Sequence, residues 1–222
     1  MIFAKIDFIN LLPFYIFLKK NITSTQTKQI INYKKSYPSQ INKKFQKKQI
    51  DAAFISSIIS KNCKCLDAGI VAKREVLSVL SIGEENYKKD YQSDTSNTLA
   101  QVLELNGEVL IGDKALYYYH YGENRDFQDL AKVWNERYNL PFVFARLCFN
   151  KHQKSLEKLS KKFVNTRVYI PQYTLDIYSE RSGLSKNQIK HYLTKISYKI
   201  GHKEKLALKK FFTLAHTIKK GK

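Results

Sequence analysis

The sequence predicts an α/β protein of two lobes, and three observations predict it. Short apolar runs rich in β-branched and aromatic residues alternate with segments of helical periodicity over residues 1–55. Two long extended stretches, residues 71–82 and 141–149, flank a block that contains its own helices and strand. Beyond the second stretch the periodicity is helical to the end.

Residues 2–9 (IFAKIDFI) read as a strand ending at Asn10, and Pro13 opens the first helix. A second strand is expected over 29–33. Ser36-Tyr37-Pro38-Ser39 then begins a Lys-rich helix whose buried face carries Ile41 and Phe45. Residues 50–55 (IDAAFI) form an apolar run of the kind buried in a parallel sheet. The extended stretches 71–82 and 141–149 are read as crossings between the lobes. Between them come a helix over 95–105 with Leu99, Val102 and Leu103 inward, a strand over 109–111, and a helix over 126–138. Phe127, Leu130, Ala131, Trp134 and Tyr138 share one stripe of that last helix. The closing helices carry Leu156, Leu159 and Phe163, then Ile189, Leu193 and Ile196 after a cap at Ser185, then Leu208, Phe211 and Phe212. The first lobe is therefore assigned residues 1–78 and 150–222, the second 79–149, with a ligand cleft between them.

The chain has 222 residues, 43% of them hydrophobic, enough for a substantial core. Its formal charge of +20 invites a nucleic-acid reading. The cations, however, are mostly scattered Lys, with Arg only at 74, 125, 137, 146, 167 and 181, and no nucleic-acid-binding motif accompanies them. No nucleic-acid partner is expected. Cys63, Cys65 and Cys148 make neither a disulfide framework nor a four-ligand zinc site, and the five histidines are dispersed, so no metal is expected and the compartment reads as reducing. Residues 8–18 resemble a leader, but Asp7, Asn10 and Pro13 interrupt the run and Lys19 and Lys20 follow it. With no bilayer-length segment elsewhere, a cytoplasmic protein with no membrane association is expected. Oligomeric state is not readable.

Ser93-Asp94-Thr95-Ser96 lies at a helix start, where hydroxyls and free N–H groups meet the positive end of the helix dipole. Ser56-Ser57 repeats the arrangement after the 50–55 strand. Each pair is either an ordinary cap or half of a site for a small dicarboxylate. Asn10, at the end of the first strand, is either a turn residue or a polar contact at the cleft. Gly112 would let backbone approach a ligand, and Asp113 is either a helix cap or a general base. Phe142 and Phe144 share a face and either wall a pocket or fill core. The run Tyr117-Tyr118-Tyr119 reads mostly as packing.

Taken together, these motifs resemble the menaquinone biosynthesis chorismate dehydratase family of the futalosine pathway. The resemblance rests on residues 6–13 (IDFINLLP), Ile50-Asp51-Ala52-Ala53, Val76-Leu77-Ser78-Val79 and Ser93-Asp94-Thr95-Ser96. It continues in residues 110–116 (LIGDKAL), Asp129-Leu130 with Trp134, and residues 140–145 (LPFVFA). It implies a fold like the type II periplasmic binding proteins, with hinge strands crossing between lobes. It also implies dehydration of chorismate to 3-[(1-carboxyvinyl)oxy]benzoate without a cofactor. Asn10 and Ser78 match the family's functionally important Asn and Ser, and Thr95 and Ser96 match its carboxylate-binding hydroxyl pair. Ser56, Ser57, Gly112 and Asp113 complete the expected substrate contacts. The family often has Arg where this chain has Asp94. Two other functions share the fold: a non-catalytic dicarboxylate-binding protein, and the related naphthoate-forming enzyme of the same pathway.

Overall fold

The computed structural model describes residues 1–22, 35–83, 87–123 and 126–220, excluding the side chains of the final two. The strand expected over 29–33 lies outside the described residues. The N-terminal segment is extended and, among the described residues, pairs through the parallel bridges Phe3 to Ala52 and Lys5 to Lys35. It turns through a 3-10 helix, Ile9–Leu11, into α1 (Leu12–Asn21), with Pro13 in the first turn. Proline costs nothing there, because its missing N–H would have no helical partner. α2 (Pro38–Gln46) follows and buries Ile41, Asn42 and Phe45.

The apolar run becomes β1 (Ala52–Ser56), buried throughout, and passes into the one-turn α3 (Ser57–Ser60). β2 (Cys65–Ala72) returns through the core. Burial was legible in 50–55 but strand direction was not. β1 pairs antiparallel with β6 (Phe142–Phe149), so the expected parallel sheet is corrected. The first sheet has the order β1-β6-β2-β7, with β7 (Ile196–Lys199) at its edge. Cys65 and Cys148 are partners across β2 and β6 and are joined as a disulfide, leaving Cys63 as the free thiol. That corrects the expectation of unpaired thiols. A pairing across 83 residues depends on the register of two strands, which spacing does not reveal.

Residues 73–78 carry the chain from β2 to β3 (Val79–Ile82), the centre of a second antiparallel sheet. Its other strands are β4 (Glu108–Ile111) and β5 (Phe127–Asp129). Between them lie α4 (Asp94–Val102) and α5 (Gly112–Tyr121). The helix expected over 126–138 is shorter: Phe127 belongs to β5, and Asp129 caps α6 (Leu130–Tyr138), accepting the N–H groups of Ala131 and Lys132. Trp134 is fully buried, its indole N–H donating to Pro141 at 3.1 Å.

After β6 come α7 (Gln153–Val164), α8 (Gln172–Ser182) and α9 (Lys186–Lys195). Ser185 closes the expected cap as a full capping box with Gln188. The sequence reading missed β7, because Ile196 continues the helical stripe of Ile189 and Leu193 and the alternation of Ile196-Ser197-Tyr198-Lys199 is only four residues long. α10 (His202–Lys220) closes the chain and packs on α4 and β6. There Phe211 meets Phe142 at 5.0 Å, and one apolar cluster runs continuously behind both sheets.

Candidate active site

Both sheets contribute to one small hollow. Its walls include Ile6, Phe8 and Asn10 from the N-terminal segment, Ser56 from β1, and Val76 and Ser78 from the crossing segment. Ser93 and Ser96 come from the start of α4, Ile111 and Gly112 from the start of α5, and Phe144 from β6. The cavity measures about 50 Å³, and among the described residues lining it none is ionisable. Five of the eight expected site residues are thus brought together: Asn10, Ser56, Ser78, Ser96 and Gly112. Phe144 lines the cavity, whereas Phe142 stands behind it between Phe144, Trp134 and Phe211.

The other three stand back from the cavity because their polar atoms are engaged elsewhere. Ser57 is fully buried and donates its hydroxyl to Val143 at 2.6 Å. Thr95 accepts the N–H of Ile58 at 3.2 Å, so the start of α4 caps the start of α3. Asp113 accepts the Ile9 N–H at 3.1 Å and an Arg181 guanidinium N–H at 2.7 Å. Burial raises its pKa, and these two partners oppose the rise. The two expected anion-receptive helix starts therefore adjoin, one satisfying the other. A larger open groove of about 810 Å³ between α7, α9 and β7 holds none of the expected residues.

Local geometry explains the placement. Gly112 has φ +67°, and a Cβ there would come within 2.8 Å of the Phe8 ring, so the backbone of β4 can close on the N-terminal segment only through glycine. Its N–H donates to the Ser78 carbonyl at 2.8 Å, which fixes the crossing segment from one side. From the other side the Asp129 carboxylate accepts the N–H groups of Val76 and Leu77. Ser93 Oγ accepts the Ser96 N–H at 3.1 Å and donates to Ser96 Oγ at 2.8 Å, so the α4 cap and the cavity hydroxyl form one unit.

Asn10 is 9% exposed and its Oδ1 has no hydrogen-bond partner, although that atom is buried. Ser78, 1% exposed, places its Oγ 2.7 Å from the Tyr192 hydroxyl. An orphaned buried acceptor costs about 1–3 kcal/mol, and this one stands beside a polar hollow.

Residues 82–217 match the family model for menaquinone biosynthesis. Over 214 residues, 95% of this chain and 96% of the relative, the sequence is 45% identical to a chorismate dehydratase of Campylobacter jejuni subsp. jejuni serotype O:23/36 (strain 81-176). The chain belongs to the menaquinone-biosynthesis family of chorismate dehydratases. Its fold also matches a crystal structure from Archaeoglobus fulgidus with a TM-score of 0.67 at 13% identity, covering 98% of this chain and 97% of the other. A Candida albicans protein described as having the generic periplasmic binding protein fold matches with a TM-score of 0.50 at 11% identity, covering 97% and 89%. The family fold is therefore the two-lobed architecture expected from the sequence.

Asp94 is itself held. Asn42 Nδ2 donates to Asp94 Oδ2 at 3.0 Å and to Ser56 Oγ at 2.8 Å, while Asn42 Oδ1 accepts the Ser56 N–H at 3.1 Å. The sequence reading missed Asn42, Asp129 and Tyr192 as parts of the site. For Asn42 a signal existed: it continues the buried stripe of Ile41 and Phe45, where a polar residue needs a partner.

Proposed function

We propose that this chain is a chorismate dehydratase, a hydro-lyase converting chorismate to 3-[(1-carboxyvinyl)oxy]benzoate. One observation carries the reading: the unpartnered Asn10 Oδ1 and the Ser78 hydroxyl border a common cavity walled by hydroxyls and apolar side chains. The relative named above, similar over nearly the whole chain, supports it.

The reaction breaks the C–H bond at the ring carbon bearing the enolpyruvyl ether. That electron pair becomes a ring double bond as the neighbouring C–O bond breaks, and the departing hydroxide takes up a proton as water. No net oxidation or reduction occurs, so the balance requires no cofactor. Aromatisation supplies the driving force, and the protein's work is alignment and stabilisation of shifting charge. Asn10 and Ser78 are the catalytic residues in this scheme. Asn10 Oδ1 accepts from the ring hydroxyl, and Ser78 donates to the oxygen as it leaves. The substrate's own side-chain carboxylate collects the proton, because no carboxylate of the protein faces the cavity among the described residues. Ser56 and Ser96 contact a substrate carboxylate, and the Gly112 backbone closes over the ring.

A cavity of about 50 Å³ accommodates a few waters but not a ring with two carboxylates. Entry therefore requires the part built on β4-β3-β5 to move away from the sheet β1-β6-β2-β7, which keeps β6 although the sequence division at 149 put that strand with the second lobe. Among the described residues no helix is long and apolar enough to cross a membrane. The proposal places the protein in the cytoplasm, acting on a small molecule with no nucleic-acid or membrane partner.

The test is to incubate purified protein with chorismate and follow loss of the diene ultraviolet absorbance, identifying the product by mass. Asn10→Ala and Ser78→Ala should lower kcat far more than they raise KM. Binding of chorismate without turnover would instead make this a receptor, and turnover of a naphthoate precursor alone would make it the later enzyme.

A further inference from the structure

We propose that Tyr192 is a positioning residue for this reaction, its hydroxyl setting the orientation of Ser78. The inference rests on the dehydratase reading and extends it to a residue that does not touch the substrate.

Tyr192 lies on α9 and is 1% exposed, so its hydroxyl must find its partners inside the protein. One partner is Ser78 Oγ at 2.7 Å. A serine hydroxyl has a single proton, and its direction decides whether Ser78 offers the cavity a donor or a lone pair. Phenol is the stronger acid of the two and hence the better donor. When Tyr192 donates to Ser78 Oγ, the serine proton is left to point into the cavity. Burial raises the Tyr192 pKa further, with Asp113 and Asp129 adding to the rise, so the phenol keeps its proton under all ordinary conditions.

At the same cavity, Asn10 Oδ1 is left without a partner. The oriented Ser78 hydroxyl and this acceptor together offer the cavity a donor and an acceptor. That pair is complementary to the ring hydroxyl of the substrate, which donates in the ground state and accepts as it leaves. Neither carboxylate of the substrate, being ionised, could donate to Asn10 Oδ1.

Tyr192→Phe removes one oxygen and keeps the ring, so the packing of α9 is retained and Ser78 loses the partner that orients its hydroxyl. The expected result is a fall in kcat of about 10-fold to 100-fold with KM changed less than about 3-fold. Because Tyr192 acts through Ser78, the Ser78→Ala/Tyr192→Phe double variant should be no slower than Ser78→Ala by more than about 2-fold. Independent, multiplying losses would overturn the inference, as would wild-type kcat in Tyr192→Phe or a loss confined to KM. Failure of the underlying reading looks different: in that case Ser78→Ala itself turns chorismate over at the wild-type rate, or the wild-type protein does not turn it over at all.

Discussion

Arg181 donates to the Asp113 carboxylate at 2.7 Å, and on its other side it meets Asp7 at 3.0 Å. Asp113 also accepts the Ile9 N–H, so its carboxylate is clasped to the N-terminal segment rather than aimed at the cavity. A general base needs hydrogen-bond reach to the proton it takes.

Asp113→Asn therefore distinguishes the two sources of the base. The amide keeps an oxygen to accept from Ile9, and turnover should fall less than about 10-fold, whereas loss of a general base costs about 10²–10⁴-fold. Steady-state kinetics on chorismate decide it, and a loss in the upper range would return Asp113 to the catalytic role.

Asn42 meets Ser56 twice and Asp94 once from inside α2. Asn42→Ala leaves the Ser56 N–H buried with no partner, which costs about 1–3 kcal/mol. Urea denaturation should show that loss, and KM for chorismate should rise more than kcat falls, because Ser56 forms cavity wall. An unchanged midpoint would mean that the Ser56 N–H finds another acceptor.

The Asp7 carboxyl is a pH-dependent stabiliser. Burial raises its pKa, but Lys5, Tyr178 and Arg181 together outweigh burial and hold it below its ordinary 3.8. A carboxyl bound more weakly to its proton in the folded state favours folding above its unfolded pKa, and that contribution disappears as pH falls through the folded one. Asp7→Asn should thus lie below wild type in urea midpoint at neutral pH, and the gap should close as pH drops below 3.8. Asp113 and Asp129 shift the other way, so only the difference between the two proteins isolates Asp7. A gap that is constant with pH would show packing at work and not charge.

Features encoded over a few residues were legible in the sequence. Pro13 opens α1, Ser185 with Gln188 caps α9, and the stripe through Trp134 lies in the core. Features that depend on a partner distant in the chain were not. The same apolar run suits a parallel or an antiparallel neighbour, and β1 took β6. Cys65 reaches Cys148 only because two strands fall into register. At the site, Ser56, Ser96 and Gly112 were legible because each lies at a strand end or helix start beside the cavity, Asn10 because it closes the extended N-terminal segment, and Ser78 only through the family resemblance. Ser57, Thr95 and Asp113 occupy equivalent sequence positions, but their partners come from elsewhere in the chain. Tyr192 follows Ile189 by three residues and reads as one more core aromatic until Ser78, 114 residues away, is placed beside it.

Asp129 joins the crossing segment to α6. Its carboxylate, 7% exposed, accepts four backbone N–H groups: Val76 at 2.9 Å, Leu77 at 2.7 Å, Ala131 at 2.9 Å and Lys132 at 3.1 Å. Leu77 has φ +60°, a left-handed conformation that costs a leucine about 1–2 kcal/mol and persists here because its N–H is held. Ser78 is the next residue, so the direction of its hydroxyl depends on this anchor. Asp129→Asn keeps the shape but replaces one accepting oxygen with an N–H donor, setting donor against donor at one end. Losing charge-assisted bonds worth about 1.5–3 kcal/mol each should lower stability by about 3 kcal/mol or more. Once released, Leu77 relaxes toward extended backbone and Ser78 swings with it, so kcat should fall in proportion well beyond KM. Adding Leu77→Gly to Asp129→Asn removes the left-handed strain and should recover part of the lost turnover, a result that destabilisation alone would not give. If Asp129→Asn instead matched wild type in both urea midpoint and kcat, the crossing segment would owe its shape to the Gly112 contact and not to Asp129.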